Sequence, residues 1–587
     1  MDTSLSGGAT WSRNSSLPNS GQTASTFVFL RSLLTQQSKA VGQVEFWTSQ
    51  IQATKRVLDP EDNLVVSLPT SAGKTRIAEV AALRTIAAGK RVVLVTPLRA
   101  LSAQMEDDFQ DLFGALGQSV SSLYGAAGVL YGDLDALRLA KIVITTPEKL
   151  DAAMRVDPGL LDDVGLIALD EGHMVGFDAR GLRYETLIQR LLNRPDASGR
   201  QLLCLSAVFP SGPAFEDFVA WLRKGVPGGP LTSDWRPTRQ RFASLAWAPN
   251  KASAKLVYEG NEDAWVDPML VGTKTGPKKN SKLFPSSQGE LTIAAAWRFA
   301  AGGSVLVYST QPNFVETLAK CAITGMEKGW LSPLEFDDQA FAHAAEVGKE
   351  WLGAEHVAVK ALSYGFVVHH GGLPQPFRRE AEGLLKQRCA RVAIASPTLA
   401  QGVNLAASTL LFHAITRGSS PIEAREFANV AGRAGRAFVD VEGLVVRPMF
   451  TPKTQRRPWR KLLKSLDERS LTSGLADGVA ILMDEIAPTG PAELDQFIEY
   501  LANQDKAWIS DELEFGPVLD HIDHALISLL DPLDASEGDL PKLIDEALKG
   551  SLFNLTVDRL TPKRAAKQRG LLEGRARYIW RRSSPEA

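Results

Sequence analysis

The stretch "NLVVSLPTSAGKTRIAEV", residues 63–80, joins a short apolar run to a turn of small residues and then to a helix-like segment. In such a unit the backbone N–H groups of the turn can surround phosphate oxygens, and the helix N-terminus adds positive potential. Lys74 would reach the β- and γ-phosphates of a nucleotide, and Thr75 would ligate Mg²⁺. The predicted loop consists of Thr70, Ser71, Ala72, Gly73, Lys74 and Thr75.

This match is imperfect, because Leu68 stands where the general G-x-x-x-x-G-K-[ST] pattern has its first glycine. An ordinary strand-to-helix turn is the alternative interpretation.

A second stretch, "GLIALDEGHM" at residues 165–174, places Asp170 and Glu171 at the end of an apolar run, where α/β sheets hold their ligands. Asp170 could hold Mg²⁺ and Glu171 could orient and deprotonate a water molecule. The competing interpretation is a helix N-cap with an acidic first turn.

Short β-branched runs alternate with helix-like segments over residues 64–206 and again over residues 302–450, which predicts two α/β domains with parallel sheets. Helical patterns dominate after residue 455, and a winged-helix-like module is one form this region could take. The predicted divisions are a disordered or helical tail at 1–42, a first domain at 43–225, a linker or insert at 226–288, a second domain at 289–452 and a helical region at 453–587.

Composition excludes several classes of protein. The chain has 587 residues, a formal net charge of −2 and three widely spaced cysteines. The cysteines therefore predict neither a disulfide framework nor a zinc site, and they fit a cytoplasmic location. No apolar run of about 18 residues is present, so no membrane partner is expected. A nucleic-acid partner would need local basic groups, because the global charge supplies none.

The order of the motifs resembles that of superfamily 2 helicases of the DEAD/DEAH type. "QIQA" (50–53) lies upstream of the phosphate loop, as the adenine-reading glutamine does in that family. The other similar stretches are "TPLRAL" (96–101), "TPEKL" (146–150), "DEGH" (170–173), "SAV" (206–208), "VYST" (307–310), "SPTLAQGVNLAA" (396–407) and "NVAGRAGR" (429–436). The stretches "SDWRP" (233–237) and "ALSYGFVVHHGGL" (361–373) resemble the Ski-like branch, which includes DNA-repair and exosome-type helicases.

The resemblance implies two RecA-like domains that hydrolyse ATP with Mg²⁺ between them. It gives Lys74, Asp170 and Glu171 catalytic roles and makes Arg433 and Arg436 the arginine fingers, whose guanidinium groups suit phosphate oxygens. A solvated helix face is the alternative for the two arginines. The resemblance also implies that Gln50, Gly402 and Asn404 contact the nucleotide. His173 would relay the nucleotide state to Ser206.

By the same resemblance, a nucleic-acid strand would cross both domains and be held through its backbone. The implied contacts are Arg99, Thr146, Glu148, Ser309, His370 and Thr398. Two basic segments, residues 453–464 and 559–582, could add a nucleic-acid arm in which Trp459 or Trp580 stacks on a base, or they could be solvated helix faces. The expected ligand is single-stranded or tailed duplex nucleic acid, with DNA favoured over RNA.

Val208 replaces the threonine of the family pattern, so the resemblance implies a different coupling of hydrolysis to strand movement. Asn429 stands where the family usually has glutamine; it is shorter but keeps an amide. The expected function is an ATP-dependent helicase or translocase that moves 3′ to 5′. An ATP-switched clamp or remodeller that does not unwind, and an RNA helicase, are the alternatives. About 130 residues follow the second domain, so the chain is expected to be a trimmed form or to take its missing modules from a protein partner.

Overall fold

The computed structural model shows two compact units, each with its own mainly parallel sheet. The first unit also contains the C-terminal helices, and the second contains the helix that follows its last strand. The residues described are 46–69, 72–97, 99–123, 135, 137–176, 179–207, 209, 212–233, 235–260, 264–274, 283–397, 407–418, 420–435, 440–466, 472–486, 516–530 and 540–583.

The first sheet has seven strands in the order β3-β4-β2-β5-β6-β1-β7, and all its pairings are parallel. Its central strands are short, continuous apolar runs with almost every residue buried, as expected of strands covered on both faces. The strands are β1 Leu64–Ser67, β2 Arg91–Val95, β3 Val120–Leu123, β4 Ile142–Thr145, β5 Val164–Leu169, β6 Gln201–Ser206 and β7 Leu231–Thr232.

The second sheet has eight strands in the order β10-β9-β8-β19-β16-β13-β15-β14. The pairings from β8 to β14 are parallel, whereas β8, β9 and β10 pair antiparallel at one edge. Its strands are β8 Arg239–Ala248, β9 Ser253–Tyr258, β10 Trp265–Val271, β13 Val305–Tyr308, β14 Phe366–His369, β15 Val392–Ala395, β16 Thr409–Phe412 and β19 Glu442–Met449.

Two small hairpins complete the strands: β11 Thr273–Lys274 pairs with β12 Leu283–Phe284, and β17 Thr416–Arg417 pairs with β18 Ser420–Pro421. The predicted fold class, two parallel-sheet domains followed by helices, is confirmed. The segment expected as a linker or insert, residues 226–288, nevertheless contributes β8, β9 and β10 to the second sheet. These strands are only partly buried, and polar residues interrupt their apolar runs. Gly and Pro flank them, so their sequence is more typical of a loop.

Helices cover the faces of both sheets. Those of the first sheet are α1 Thr48–Val57, α2 Lys74–Ala87, α3 Arg99–Phe109, α4 Pro147–Val156, α5 Ala179–Asn193 and α6 Pro213–Leu222. Those of the second sheet are α7 Gln288–Ala300, α8 Pro312–Glu327, α9 Asp338–Leu352, α10 Val357–Leu362, α11 Gln375–Lys386, α12 Ala424–Ala431 and α13 Pro452–Lys464. The C-terminal helices are α14 Gly474–Ile486, α15 Gly516–Leu530, α16 Leu540–Leu548, α17 Leu552–Val557 and α18 Pro562–Ser583.

The C-terminal helices pack on α5 and α6 of the first sheet. Leu182 of α5 belongs to their apolar cluster, and Leu552 of α17 belongs to the cluster of the first sheet. Arg559 makes a two-pronged ion pair with Asp217 of α6.

Within the ranges described above, no strand follows Met449 and no helix is long and apolar enough to cross a membrane.

The interpretation of Trp459 as a base-stacking residue is wrong. Its side chain is fully buried in the second unit, where its ring centroid lies 6.1 Å from that of Phe412 and 5.4 Å from that of Phe427. The apolar ring is removed from water by the face of the second sheet, so Trp459 anchors α13 rather than meeting a ligand.

A buried carboxylate joins α5 to the start of α14. Glu185 accepts a hydrogen bond of 2.5 Å from the Ser473 hydroxyl and one of 2.7 Å from the Gly474 N–H. Burial raises the pKa of Glu185 to about 7, although these donors lower it. The unfolded chain releases this proton near pH 4.5, so between that pH and about 7 the folded state holds one more proton and raising the pH removes stability.

We therefore expect Glu185→Gln to flatten the fall in the free energy of unfolding between pH 4.5 and about 7. The difference in slope from the wild type should reach up to about 1.4 kcal/mol per pH unit. A glutamine can accept from the Gly474 N–H and donate to the Ser473 hydroxyl, so the fold should persist. Urea unfolding across this range measures the effect, and Glu216→Gln, at an exposed glutamate of α6, is the matched control. Identical slopes in wild type and Glu185→Gln would contradict the prediction.

Candidate nucleotide site

The turn at Gly73 has the backbone geometry of a phosphate-binding loop. Gly73 lies in the left-handed region at φ 78° and ψ 38°, immediately before α2, and no side chain caps the helix. The first N–H groups of a helix have no partner within it, so this terminus can donate to an anion. Lys74 and Thr75 are half-buried in the first turn of α2. The structure thus brings together the described part of the predicted loop, Ala72 to Thr75.

Gln50 closes the loop from one side. Its Oε1 accepts a hydrogen bond of 2.9 Å from the Trp47 N–H, and its Nε2 lies 3.4 Å from the Gly73 carbonyl oxygen. A Cβ atom on Gly73 would stand 1.9 Å from that Nε2, so a larger residue there would have to displace the Gln50 amide. The predicted glutamine therefore contacts the phosphate loop directly, at a position set by the first turn of α1.

Asp170 and Glu171 follow β5 at the carboxyl edge of the first sheet. The Asp170 N–H donates 2.9 Å to the Val95 carbonyl, which continues the β2–β5 ladder into the acidic pair. Burial raises the pKa of Asp170 to about 7; the adjacent Glu171 raises it further, and Lys74 lowers it. Because Lys74 lowers the pKa of Asp170, the lysine of the loop lies close enough to the acidic pair to interact with it electrostatically.

Glu171 has an unusual backbone conformation. Its φ of 51° and ψ of 44° place it in the left-handed region, which costs a non-glycine residue about 1–2 kcal/mol. The His173 Nδ1 lies 3.1 Å from the Glu171 carboxylate and 2.8 Å from the Ser206 hydroxyl at the end of β6. The contact expected between His173 and Ser206 is thus present, and the relay through it stays a prediction.

Sequence reasoning missed two residues that support the acidic pair. The Tyr184 hydroxyl donates 2.7 Å to the Asp170 carbonyl, and its ring is buried in the core of the first sheet. Cys204 lies under Gly172, where a Cβ atom would stand 2.3 Å from its Sγ. Tyr184 lies in α5 and Cys204 in β6, so each contact reaches the acidic pair from another element of the fold. No local sequence motif could have revealed them.

The remaining motif residues of the first unit also lie at the carboxyl edge. Thr96 follows β2, and Thr146 follows β4 as the N-cap of α4. Thr146 is buried, and Glu148 is half-buried in the first turn of that helix. Arg99 begins α3, but its side chain lies outside the described residues. Their proposed contacts with a nucleic-acid strand stay predictions.

In the second unit, Ser309 and His370 follow β13 and β14 at the carboxyl edge of the second sheet. Both are at most 4% exposed. The His370 Nε2 lies 3.3 Å from the Glu316 carboxylate, and burial lowers the pKa of His370. The contact of these side chains with nucleic acid remains a prediction.

Arg433 follows α12 in a turn that contains Gly435 in the left-handed region. The helix ends at Ala431, and Ala434 forms a parallel bridge with Ala407, the last residue of the "SPTLAQGVNLAA" stretch. Gly435 has φ 92°, and a Cβ atom there would stand 2.3 Å from the Thr238 Cγ2. Arg433 is 5% exposed, so the solvated helix face considered for it is wrong.

Several predicted site residues cannot be placed. Thr70, Ser71, Thr398, Gly402, Asn404 and Arg436 lie outside the described residues.

Comparison with known proteins agrees with this geometry. Residues 47–215 match the sequence model of the DEAD/DEAH box helicase family. This part of the chain is a DEAD/DEAH box helicase domain. It contains the Gln50 contact, the Gly73 turn, the acidic pair and Ser206, and the predicted resemblance to superfamily 2 is confirmed.

Relatives of this chain include one Hachiman protein and two DNA helicases. Hachiman protein HamB of Bacillus cereus is 33% identical over 427 residues, which is 70% of this chain and 37% of that protein. ATP-dependent DNA helicase Hel308 of Methanocella arvoryzae is 27% identical over 414 residues, 69% of this chain and 51% of that protein. Hel308 of Methanococcus vannielii is 27% identical over 403 residues, 66% of this chain and 48% of that protein. The chain thus spans about half or less of each relative's length.

Gly73→Ala is expected to weaken ATP binding by about tenfold or more, because the new methyl group displaces the Gln50 amide from the loop. Binding of a fluorescent ATP analogue to the full chain provides the measurement.

The matched control is Gly89→Ala, just beyond the other end of α2. Gly89 has nearly the same φ, 81°, but a Cβ atom there meets nothing within 4 Å. Both variants should lose about 1–2 kcal/mol of stability from the left-handed backbone, and only Gly73→Ala should lose affinity. Equal ATP affinities in the two variants would show that the Gln50 contact does not shape the nucleotide site.

Proposed function

We propose that this chain is an ATP-dependent helicase or translocase that acts on DNA. The observation that carries the proposal is the carboxyl edge of the first sheet. There the Gly73 turn follows β1, the Asp170–Glu171 pair follows β5, and Ser206 ends β6, the strand between them. A helix N-terminus and lysine beside a half-buried acidic pair suit the binding and hydrolysis of a nucleoside triphosphate.

The donor set fits Mg²⁺, which prefers oxygen ligands and is commonly held by one or two carboxylates together with nucleotide phosphates. Asp170 and Thr75 would hold it, and the cation would offset the burial and the adjacent Glu171 charge that raise the pKa of Asp170. When bound, the ion would neutralise charge on the phosphates. Glu171 would orient the attacking water and accept its proton. Arg433 and Arg436 are proposed to stabilise the γ-phosphate as it leaves.

DNA is favoured as the polymer because two of the three relatives carry the name ATP-dependent DNA helicase. The 3′ to 5′ direction rests on the resemblance to the Ski-like branch alone. An RNA helicase is the alternative with the same site chemistry, since backbone contacts do not by themselves distinguish the two polymers.

A hairpin in the second unit favours strand separation over a clamp that only closes on nucleic acid. β17, Thr416–Arg417, and β18, Ser420–Pro421, form an exposed antiparallel pair. Its base is fixed on two sides. The Thr310 hydroxyl donates 2.8 Å to the Thr416 carbonyl, and Arg417 forms a 3.0 Å ion pair with Glu426 of α12. The Tyr308 hydroxyl donates to the same glutamate. A braced, projecting hairpin suits a wedge between strands.

A protein partner also belongs to the proposal. Its support is the similarity to Hachiman protein HamB of Bacillus cereus, of which the matched 427 residues are 37%. A cytoplasmic location is proposed from the three reduced, dispersed cysteines.

Glu171→Gln should lower kcat for ATP hydrolysis by about 10²- to 10⁴-fold and leave ATP affinity within about threefold of wild type, because the amide keeps the size of the side chain and loses its basicity. Turnover under saturating ATP and binding of an ATP analogue give the two values. Glu350→Gln, at an exposed position of α9, is the control for loss of one carboxylate. Turnover close to wild type in Glu171→Gln would remove this residue from the proposed role.

ATP hydrolysis by the full chain should rise with single-stranded DNA and with tailed duplex DNA, and should rise less with RNA of the same sequences. The physical reason is that the polymer stabilises the hydrolysis-competent state through differential contacts. Duplexes with a 3′ or a 5′ tail, labelled for strand separation, test the direction in the same experiment. A rate that no polymer changes would reject the helicase proposal, and equal stimulation by RNA would favour the RNA alternative.

A further inference from the structure

Helix α13 carries six basic residues on one side. Lys453, Arg456, Arg457, Arg460, Lys461 and Lys464 recur at steps of three and one along the helix. This spacing places them on a single face, which we call the basic stripe. All six side chains are exposed, and the sequence of the helix, "PKTQRRPWRKLLK", contains no acidic residue.

The opposite face of α13 is fixed in the core of the second unit. Trp459 and Leu462 are buried in the same apolar cluster as Phe412 of β16 and Phe427 of α12. The Gln455 amide also donates 3.0 Å to Gln288 at the start of α7. Because the apolar face is anchored, the basic stripe points away from the core at a fixed orientation.

The stripe is unfavourable for the fold itself. Like charges three or four positions apart on a helix repel each other and destabilise it. Pro458 lies inside the helix and removes a backbone hydrogen bond. Lys461 and Lys464 gain from the helix dipole because they lie in the last turn, but Lys453, Arg456 and Arg457 lie too far from it.

Few carboxylates balance these charges. Arg460 lies 3.6 Å from Glu259 at the end of β9. For Lys453, Arg456 and Arg457, none of the carboxylates in the described ranges comes within 4.0 Å. A concentrated, exposed positive charge on a chain of net charge −2 is the electrostatic footprint expected for a polyanion.

The form of the stripe favours a duplex over a single strand. From Lys453 to Lys464 a helix rises about 17 Å, which matches about five phosphates of one strand of B-DNA. Sites for single strands combine positive charge with exposed aromatic rings that stack on bases. The one aromatic residue of α13, Trp459, is fully buried, so the helix presents cations without a stacking platform.

The start of α13 also lies where a duplex could meet the motif residues of the same unit. Pro452 follows β19 at the carboxyl edge of the second sheet. Ser309 follows β13 and Thr416 follows β16 at that edge, and β13, β16 and β19 are neighbours. One side of the second unit therefore carries the hairpin, the predicted strand contacts and the first turn of the basic stripe.

We propose that the basic stripe of α13 binds the phosphate backbone of double-stranded DNA without reading its sequence. The proposal rests on the proposed function and adds a second binding surface outside the helicase motifs. It assigns the stripe to the duplex part of a tailed substrate, and the motif residues to the single strand. An acidic protein segment is the competing ligand that the experiment separates.

The test variant is Lys453→Gln, Arg456→Gln and Arg457→Gln combined in the full chain. Glutamine keeps helix propensity, and the anchoring residues and the last-turn lysines stay unchanged. The matched control combines Lys349→Gln, Arg379→Gln and Lys386→Gln, which removes the same charge from exposed positions of α9 and α11. The ligands are a blunt DNA duplex, a tailed duplex and a single strand, each over a series of salt concentrations.

The test variant should bind both duplexes about tenfold or more weakly at low salt. Its plot of log affinity against log salt should lose about two to three units of slope, since each phosphate contact contributes about 0.9. Binding of the single strand and ATP hydrolysis with it should stay near wild type, and the control variant should match wild type throughout.

Two results would overturn the proposal, and they differ in what they say of the function. Wild type that binds no DNA under any condition would reject the proposed action on DNA and the stripe together. Wild type that binds duplex with an affinity and salt slope equal to those of the test variant would reject the stripe alone and would direct the search to an acidic protein ligand. Unchanged far-ultraviolet circular dichroism and melting temperature confirm that the variants are folded.

Discussion

The register of four parallel strands controls the candidate site. β2, β5, β6 and β1 lie side by side, and Ser67 of β1 pairs with Ser206 of β6. The Asp170 N–H then bonds to the Val95 carbonyl beyond the last paired residues. Each strand releases its chain at the same edge, so the phosphate loop, the acidic pair and Ser206 meet although they are far apart in sequence. A shift of one residue in any of these strands would turn its side chains to the other face.

The site holds charge and backbone strain that the fold alone does not require. Asp170 and Glu171 are adjacent carboxylates in a place where burial raises the pKa of Asp170, and Lys74 offsets this only in part. Glu171 also occupies a left-handed conformation that is unfavourable for a residue with a side chain. Strain and like charge of this kind cluster at functional sites, where a ligand restores the balance. The geometry is therefore better suited to a nucleotide with its cation than to an empty pocket.

The sequence was informative where a pattern is local. The phosphate loop, the acidic pair and the strands around them follow from short apolar runs and from the rule that parallel strands share a carboxyl edge. β8, β9 and β10 were missed, because strands of an exposed antiparallel edge are less apolar and lie among prolines and glycines. Trp459 was misassigned, since a lone aromatic residue in a basic segment does not show which side of its helix is buried. Contacts such as Glu185 with Ser473 join residues 288 positions apart and leave no local signal.

Net charge was the least useful property of the chain, for a reason that the structure makes clear. The acidic groups of the site are half-buried at the edge of the first sheet, and Glu185 and Glu79 are buried within the same unit. The cations of α13, in contrast, are all exposed and lie on one face, because Trp459 and Leu462 fix the other. A polyanion interacts more strongly with exposed charges than with buried ones. Buried carboxylates that are neutral or paired contribute little to the electrostatic field at a distant surface. A formal charge of −2 is thus compatible with a surface that attracts DNA.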